Sequence, residues 1–409
     1  MPNYFAPDIY VEEVSTGARP IGAVGTSMAA FLGLAPKADA LVGDAMPVNN
    51  WSEFLRLYAP PNPKDMSTDL SHAVFGFFQN GGTRCVVVNL GKDKLLPEGL
   101  ATLEANDEVA IVAAPGYADA ASYDALLGHC EKLKDRVAVL DPPKEVPKID
   151  LLTKVAEPPQ PKRGGGAAGG GGAGEGGAAG GGRASGAGLR PRQSDGGYGA
   201  FYFPRLRVID ALSSKGELVE VPPSGHLAGI YGRTDATRGV HKAPANETIR
   251  GALDVTYRVT RAEQEQLNPA GVNVIRWFAT EGIRVWGART VSAEASEWRY
   301  LNVRRLFNMI EESIARGTRW VVFEPNDRPL WQDIKRDVSA FLRVVWRDGA
   351  LMGRTAEQAF FVQCDEETNP QESIDQGRVV IKIGIAPVKP AEFIIFRIGQ
   401  YAGGVEIET

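Results

Sequence analysis

The two ends of the chain constrain its fold more than anything between them. Near the start stands Pro7-Asp8-Ile9-Tyr10-Val11-Glu12-Glu13-Val14, followed by Ser15-Thr16-Gly17-Ala18-Arg19-Pro20. At the far end stands Val405-Glu406-Ile407-Glu408-Thr409, preceded by Gly403-Gly404. A short strand-forming segment tethered by glycine or proline cannot satisfy its own N–H and C=O groups. It must fold back onto its own domain or add to the sheet edge of a neighbour. Ile9, Tyr10, Val11, Glu12 and Val14 at one end, and Val405, Glu406 and Ile407 at the other, are therefore candidate inter-subunit contacts. Two such arms on one chain describe a subunit that holds two different neighbours, which is the logic of a polymer.

Bulk properties narrow the class further. The 409 residues are 44% hydrophobic and 23% charged, ordinary values for a globular protein long enough for two or three domains. A formal net charge of −5 gives no general attraction to nucleic acid or to an anionic membrane. Cys85, Cys130 and Cys364 are far apart and odd in number, so they read as reduced, buried thiols. Asp8, Glu12 and Glu13 interrupt any leader-like N-terminus, and no apolar run approaches the ~18 residues that span a bilayer. The expected site of synthesis and folding is the cytoplasm, with any export by another route.

One internal boundary is plain. Residues 164–182 contain only Gly, Ala and Glu175. Such a run has no side chains to bury and loses the most backbone entropy on ordering. Residues 156–197 read as a disordered surface loop, either a linker between separate domains or an insertion in one; the insertion is preferred because strand-like sequence resumes at Tyr198-Gly199-Ala200-Phe201-Tyr202-Phe203. Before the loop, the apolar runs 85–90, 109–114 and 136–141 predict strands buried on both faces. Helical spacing at 51–58, 70–79 and 121–133 supplies crossovers, so the fold class is α/β with a mostly parallel sheet. After the loop, a hairpin is predicted at 272–276 and 283–287. A helix over 297–316, a strand over 319–323 and a helix over 328–346 follow. The last strands are expected at 359–364, 379–385 and 392–398. Asn326 or Asp327 is placed to cap the 328–346 helix, with Gly349 just past its end.

The sequence offers little for catalysis, and no cofactor or metal is expected. His72, His129, His226 and His241 show no ligand spacing to another His or Cys. Gly22-Ala23-Val24-Gly25-Thr26-Ser27 and Gly229-Ile230-Tyr231-Gly232-Arg233-Thr234 both lack the Lys-Ser/Thr of a phosphate loop. A doubly wound α/β enzyme remains the alternative, suggested only by the buried strands. One charge pattern stands apart. In the 328–346 helix, Lys335, Ser339, Arg343 and Arg347 recur every four residues, with Arg336 beside them and an apolar stripe elsewhere on the helix. This is either a solvated face with Asp333 and Asp337 as local partners, or a docking ridge for an acidic protein surface. No aromatic residue interleaves the basic face, which argues against nucleic acid.

Several segments together resemble the contractile tail sheath family: the sheaths of contractile phages, R-type tailocins and extracellular contractile injection systems. They are 4–14, Gly17-Ala18-Arg19-Pro20-Ile21, Val24-Gly25-Thr26-Ser27, Gly81-Gly82-Thr83-Arg84-Cys85, Gly229-Ile230-Tyr231-Gly232-Arg233-Thr234-Asp235 and Leu267-Asn268-Pro269. Arg319-Trp320-Val321-Val322-Phe323-Glu324-Pro325-Asn326 and Pro390-Ala391-Glu392-Phe393-Ile394-Ile395-Phe396 complete the set. The resemblance implies an inner domain built from both chain ends plus the C-terminal third, with an N-terminal arm over 1–20 as part of it, an inserted outer α/β domain over 21–288, the inner sheath domain over 289–400 and a C-terminal arm over 401–409. It implies a non-enzymatic polymer of stacked six-fold rings around an inner tube, contracting by a switch between two packings. The implied partners are the chain itself, an inner tube protein, and baseplate and terminator or cap proteins, with neither nucleic acid nor membrane insertion. Lys335, Arg336, Arg343 and Arg347 then become candidates to face the tube. Assembly is implied in the cytoplasm, as part of a phage-tail-like particle released from the cell.

Overall fold

The computed structural model describes residues 19–157 and 188–395. The candidate arm residues at both termini and the run 164–182 lie outside the described residues.

The first half alternates strand and helix as its apolar runs require. Ala29–Gly33 (β1) and Ala45–Val48 (β2) lead into Trp51–Tyr58 (α1) and Asp69–Gln79 (α2). Cys85–Asn89 (β3), Leu96–Ala101 (α3), Ile111–Ala113 (β4), Ala120–Leu133 (α4) and Val137–Leu140 (β5) follow. Beyond residue 188 come Gly199–Phe203 (β6), Leu206–Ile209 (β7), Leu218–Val221 (β8), Ser224–Arg238 (α5) and Glu247–Thr248 (β9). Ala252–Val255 (β10), Arg261–Leu267 (α6), Val272–Phe278 (β11) and Gly282–Val285 (β12) complete this part. Nine strands join in the order β2-β3-β1-β4-β5-β6-β11-β12-β9. Pairing is parallel from β3 through β11 and antiparallel at both margins. The expected α/β class and mostly parallel sheet are what the chain forms.

Strand alternation divides the core into two layers. Phe31, Val87, Ile111, Val139 and Tyr202 face α1, α2 and α5. Leu32, Val88, Val112, Leu140 and Phe201 face α3 and α4 on the other side. Helices α2 and α5 approach closely because glycine lets them: a Cβ on Gly225 would lie 2.3 Å from the Ala73 backbone. The segment Gly229–Thr234 thus serves helix packing. A three-stranded sheet, β10-β7-β8, packs at one side of the body.

The C-terminal part forms a third core. Leu301–Gly317 (α7) and Arg328–Arg347 (α8) lead to Ala356–Ala359 (α9), Phe360–Gln363 (β13), Gln371–Asp375 (α10) and Lys382–Ile385 (β14). Leu306, Ile310, Ile334, Val338, Phe341, Leu342 and Val362 pack here, and Ile21 joins them from the start of the chain. Asp327 caps α8 by accepting from Leu330 N at 3.0 Å, and Gly349 beyond its end takes φ +81°.

Four expectations need correction. The helix expected from 297 begins at Leu301, because Thr290 N donates to Arg299 O at 2.8 Å and Arg289 bridges Tyr300. No strand forms over 319–323. Instead Arg319–Val321 makes a 3-10 turn, and Phe323 is fully exposed with φ +72°. Residues 392–395 have no strand partner either, and the strand expected at 379 begins only at Lys382. The segments 319–323, 379–381 and 392–395 are β-prone, but none of them pairs with a strand among the described residues.

Candidate functional site

Both ends of the described chain are fastened to the body by buried arginines. At the start, Arg19 lies 4.3 Å over the Trp320 ring, and Ile21 packs on α7 where a side chain on Gly317 would collide. Val24 N donates to Ser313 Oγ at 3.0 Å, and Thr26 Oγ1 donates to Asp235 Oδ2 at 2.5 Å. Asp235 also takes both terminal nitrogens of Arg305, at 2.9 and 2.6 Å, while Arg305 Nη2 donates to Thr26 O at 3.0 Å. The Arg305 and Asp235 side chains are only 3% and 8% exposed, so this charge-assisted knot is made away from water. The donors and acceptors of 24–26 are thereby engaged in holding the chain to α5 and α7 rather than cradling a phosphate.

At the far end, β14 is followed by backbone bonds from Met352 N to Ala386 O at 2.7 Å and from Val388 N to Ala350 O at 3.2 Å. Glu392 then enters a cradle. Asn268 Nδ2 donates to its Oε1 at 2.8 Å, Arg289 Nε and Nη2 donate at 2.9 and 2.8 Å, and Tyr300 Oη donates at 3.2 Å. Arg289 is 5% exposed, and its Nη1 donates to Asn268 O at 3.1 Å. Burial alone would raise the Glu392 pKa, but the Arg289 and Asn268 hydrogen bonds and the Arg289 charge outweigh it and hold the carboxyl below its usual range. The next three residues change character at once: Phe393, Ile394 and Ile395 are 71%, 76% and 81% exposed.

The body also presents sheet edges. The nine-stranded sheet has blunt margins, with Pro47 in β2 and only two residues in β9. Strands β13 and β14 pair only with each other, antiparallel from Phe360–Ile385 to Gln363–Lys382, and each keeps one open edge among the described residues. A two-stranded sheet is marginal alone, and Phe361 on it is half exposed.

The basic ridge takes the geometry its spacing predicts. Leu330, Trp331, Ile334, Val338, Phe341, Leu342 and Val345 are buried, while Lys335, Arg336, Arg343 and Arg347 are exposed. Arg336 donates to Asp333 at 2.7 Å and to Asp337 at 3.1 Å on its own helix. Lys335, Arg343 and Arg347 make no ion pair among the described residues.

No group of three or more His, Cys, Asp or Glu side chains is placed to hold a metal among the described residues, and the three cysteines are free and buried. No described helix is long and apolar enough to cross a membrane. Sequence reasoning passed over Asp235, Arg289, Arg305 and Glu392. The available signal was that Asp235 and Glu392 lie inside segments that carried the family resemblance.

An α/β body with both ends fastened and one open-edged small sheet has the layout of a chain that pairs with other chains. Comparison with known proteins agrees. The phage tail sheath protein central domain matches residues 196–291, and the phage tail sheath C-terminal domain matches residues 293–400. The sheath complex of an extracellular contractile injection system, PVC, in its contracted state superposes with a TM-score of 0.73 at 28% identity, covering 98% of this chain and 99% of that one. A chain of the anti-feeding prophage baseplate structure gives 0.71 at 30% identity, covering 97% and 99%. The tail sheath protein of Vibrio phage KVP40 is 30% identical over 177 residues, 42% of this chain and 26% of that protein. The chain spans about half or less of the curated relatives it matches. The chain belongs to the contractile tail sheath family.

Proposed function

We propose that this chain is the structural subunit of a contractile sheath, polymerising as stacked six-fold rings around an inner tube and contracting to drive the tube through a target envelope. The observation that carries the reading is the end-to-end likeness to a sheath complex in the contracted state. The outer domain spans 21–288, the inner domain 289–400, and the arms 1–20 and 401–409 pair with neighbouring subunits, with β13 and β14 as the receiving edges. The chain is a non-enzymatic subunit that assembles in the cytoplasm with an inner tube protein, a baseplate and a terminator, and the particle is then released. Lys335, Arg343 and Arg347 face the tube, with Arg336 beside them. Contraction consumes no nucleotide, because an extended lattice less favourable than the contracted one stores the energy.

Each arm pairing of about four ladder bonds contributes roughly 2–6 kcal/mol, modest for one contact and large when repeated over a lattice. Deleting residues 1–14 should leave a folded monomer that forms no striated cylinders in negative stain. Normal cylinders from that deletion would overturn the arm assignment.

A further inference from the structure

We propose that Arg289 is a positioning residue that fixes where the C-terminal arm leaves the body, an inference that rests on the arm reading above. Glu392 is gripped by Asn268, Arg289 and Tyr300, yet the residue after it is already 71% exposed. The boundary between held and free chain therefore falls at one carboxylate. Three segments far apart in sequence meet at it: Asn268 follows α6, Arg289 follows β12, and Glu392 follows β14. Near the start of the chain similar chemistry lies farther inside the body: Arg305 grips Asp235 and the Thr26 carbonyl together, whereas the chain is already held earlier by Arg19 on Trp320 and Ile21 on α7.

The reason such a grip matters is register. A strand rises ~3.3 Å per residue, so a root that slips by one residue shifts the strand that follows by that distance. A one-residue slip also turns every side chain to the wrong face. A loosely rooted arm would still be able to pair, but it would find its edge rarely and in the wrong register. A bidentate pair suits the task because removing one partner strands a buried charge, so the root has one strongly preferred geometry.

The test uses the full chain and four proteins: the parent, Glu392→Gln, Asn268→Ala, and a deletion of 396–409. Hydrogen exchange reads the root, and negative-stain microscopy reads assembly. Glu392→Gln removes the charge but keeps the shape. Exchange over 390–395 should rise at least ~10-fold while β1 and β3 amides keep their rates, and cylinder yield should fall about 10-fold. Asn268→Ala keeps the ion pair and should give an intermediate effect on both readouts. It also carries the test if Glu392→Gln does not fold. If exchange rises equally throughout the body, the cradle is a general brace and the inference fails. If both variants assemble and exchange like the parent while the 396–409 deletion forms no cylinders, the inference fails and the arm reading stands. If the deletion itself assembles normally, the arm reading fails and the inference falls with it.

Discussion

Asp141 lies just past the end of β5, fully buried, with its carboxylate oxygens accepting from Ser224 N at 2.8 Å and Ser224 Oγ at 2.7 Å. It thereby caps α5 from the sheet. Burial pushes its pKa up to about 7, against the lowering effect of the Ser224 bonds and of Arg205. The folded-state value lies above the unfolded one, so its contribution to stability is full below about pH 4 and is lost as pH rises through 7. His226 acts on the other flank: burial lowers it to about 4, so its contribution is full above about pH 6.5 and is lost as pH falls toward 4. Asp141→Asn removes only the first effect. Its stability relative to the parent should climb as pH goes from 4 to 8, by up to about 4 kcal/mol, in urea melts at several pH values. A difference that stays constant with pH would show that Asp141 keeps its ordinary ionisation in the fold. Single residues were the least legible scale in the sequence. Arg289 and Glu392 are 103 positions apart and Arg305 and Asp235 are 70 apart, and a charge in a sequence does not name its partner. The α8 cap was readable because an Asx residue and its helix are adjacent.

Elements were readable where one chain satisfies them alone. The run at 85–90 became β3 because both faces of that strand are covered, and 51–58 became α1 because its apolar spacing matches the layer beneath. The segments 319–323 and 392–395 misled because strand propensity expresses itself only where a partner edge is present, and 396–398 lie outside the described residues. The loop expected over 156–197 needs correction at its C-terminal edge: residues 188–197 are packed on the body, with Gly188, Pro191, Ser194 and Gly197 buried, while 158–187 lie outside the described residues. The flanks are zipped together where Ala156 N donates to Arg190 O at 2.7 Å, Arg190 N to Lys154 O at 2.9 Å and Leu189 N to Leu151 O at 2.8 Å. With the stem closed, the cost of loop length changes slowly, by well under ~1 kcal/mol for moderate shortening. Replacing 164–182 by a short Gly-Ser linker should therefore preserve both the melting temperature and cylinder formation. Loss of assembly with an unchanged melt would assign the insert a contact that its Gly-Ala composition does not reveal.

At the scale of the whole molecule, the bare cations on α8 become the test of tube contact. An interface that must release during contraction is best held by partly wet charges, which salt weakens. Reversing Lys335, Arg343 and Arg347 together to Glu should leave the monomer's melt unchanged, because their side chains are exposed, and should abolish extended sheath on tube. Extended sheath with the parent's salt sensitivity would leave the ridge as a solvated helix face. The small sheet of β13 and β14 has a separate consequence. Each of its two strands keeps one open edge among the described residues, so on the proposed arm pairing an interior subunit would offer two strands and accept two. A lattice built that way would be balanced inside and unbalanced at its ends. The proposed polymer would then be polar by valence, and the proteins that finish its two ends would differ in kind, one supplying edges and the other supplying strands.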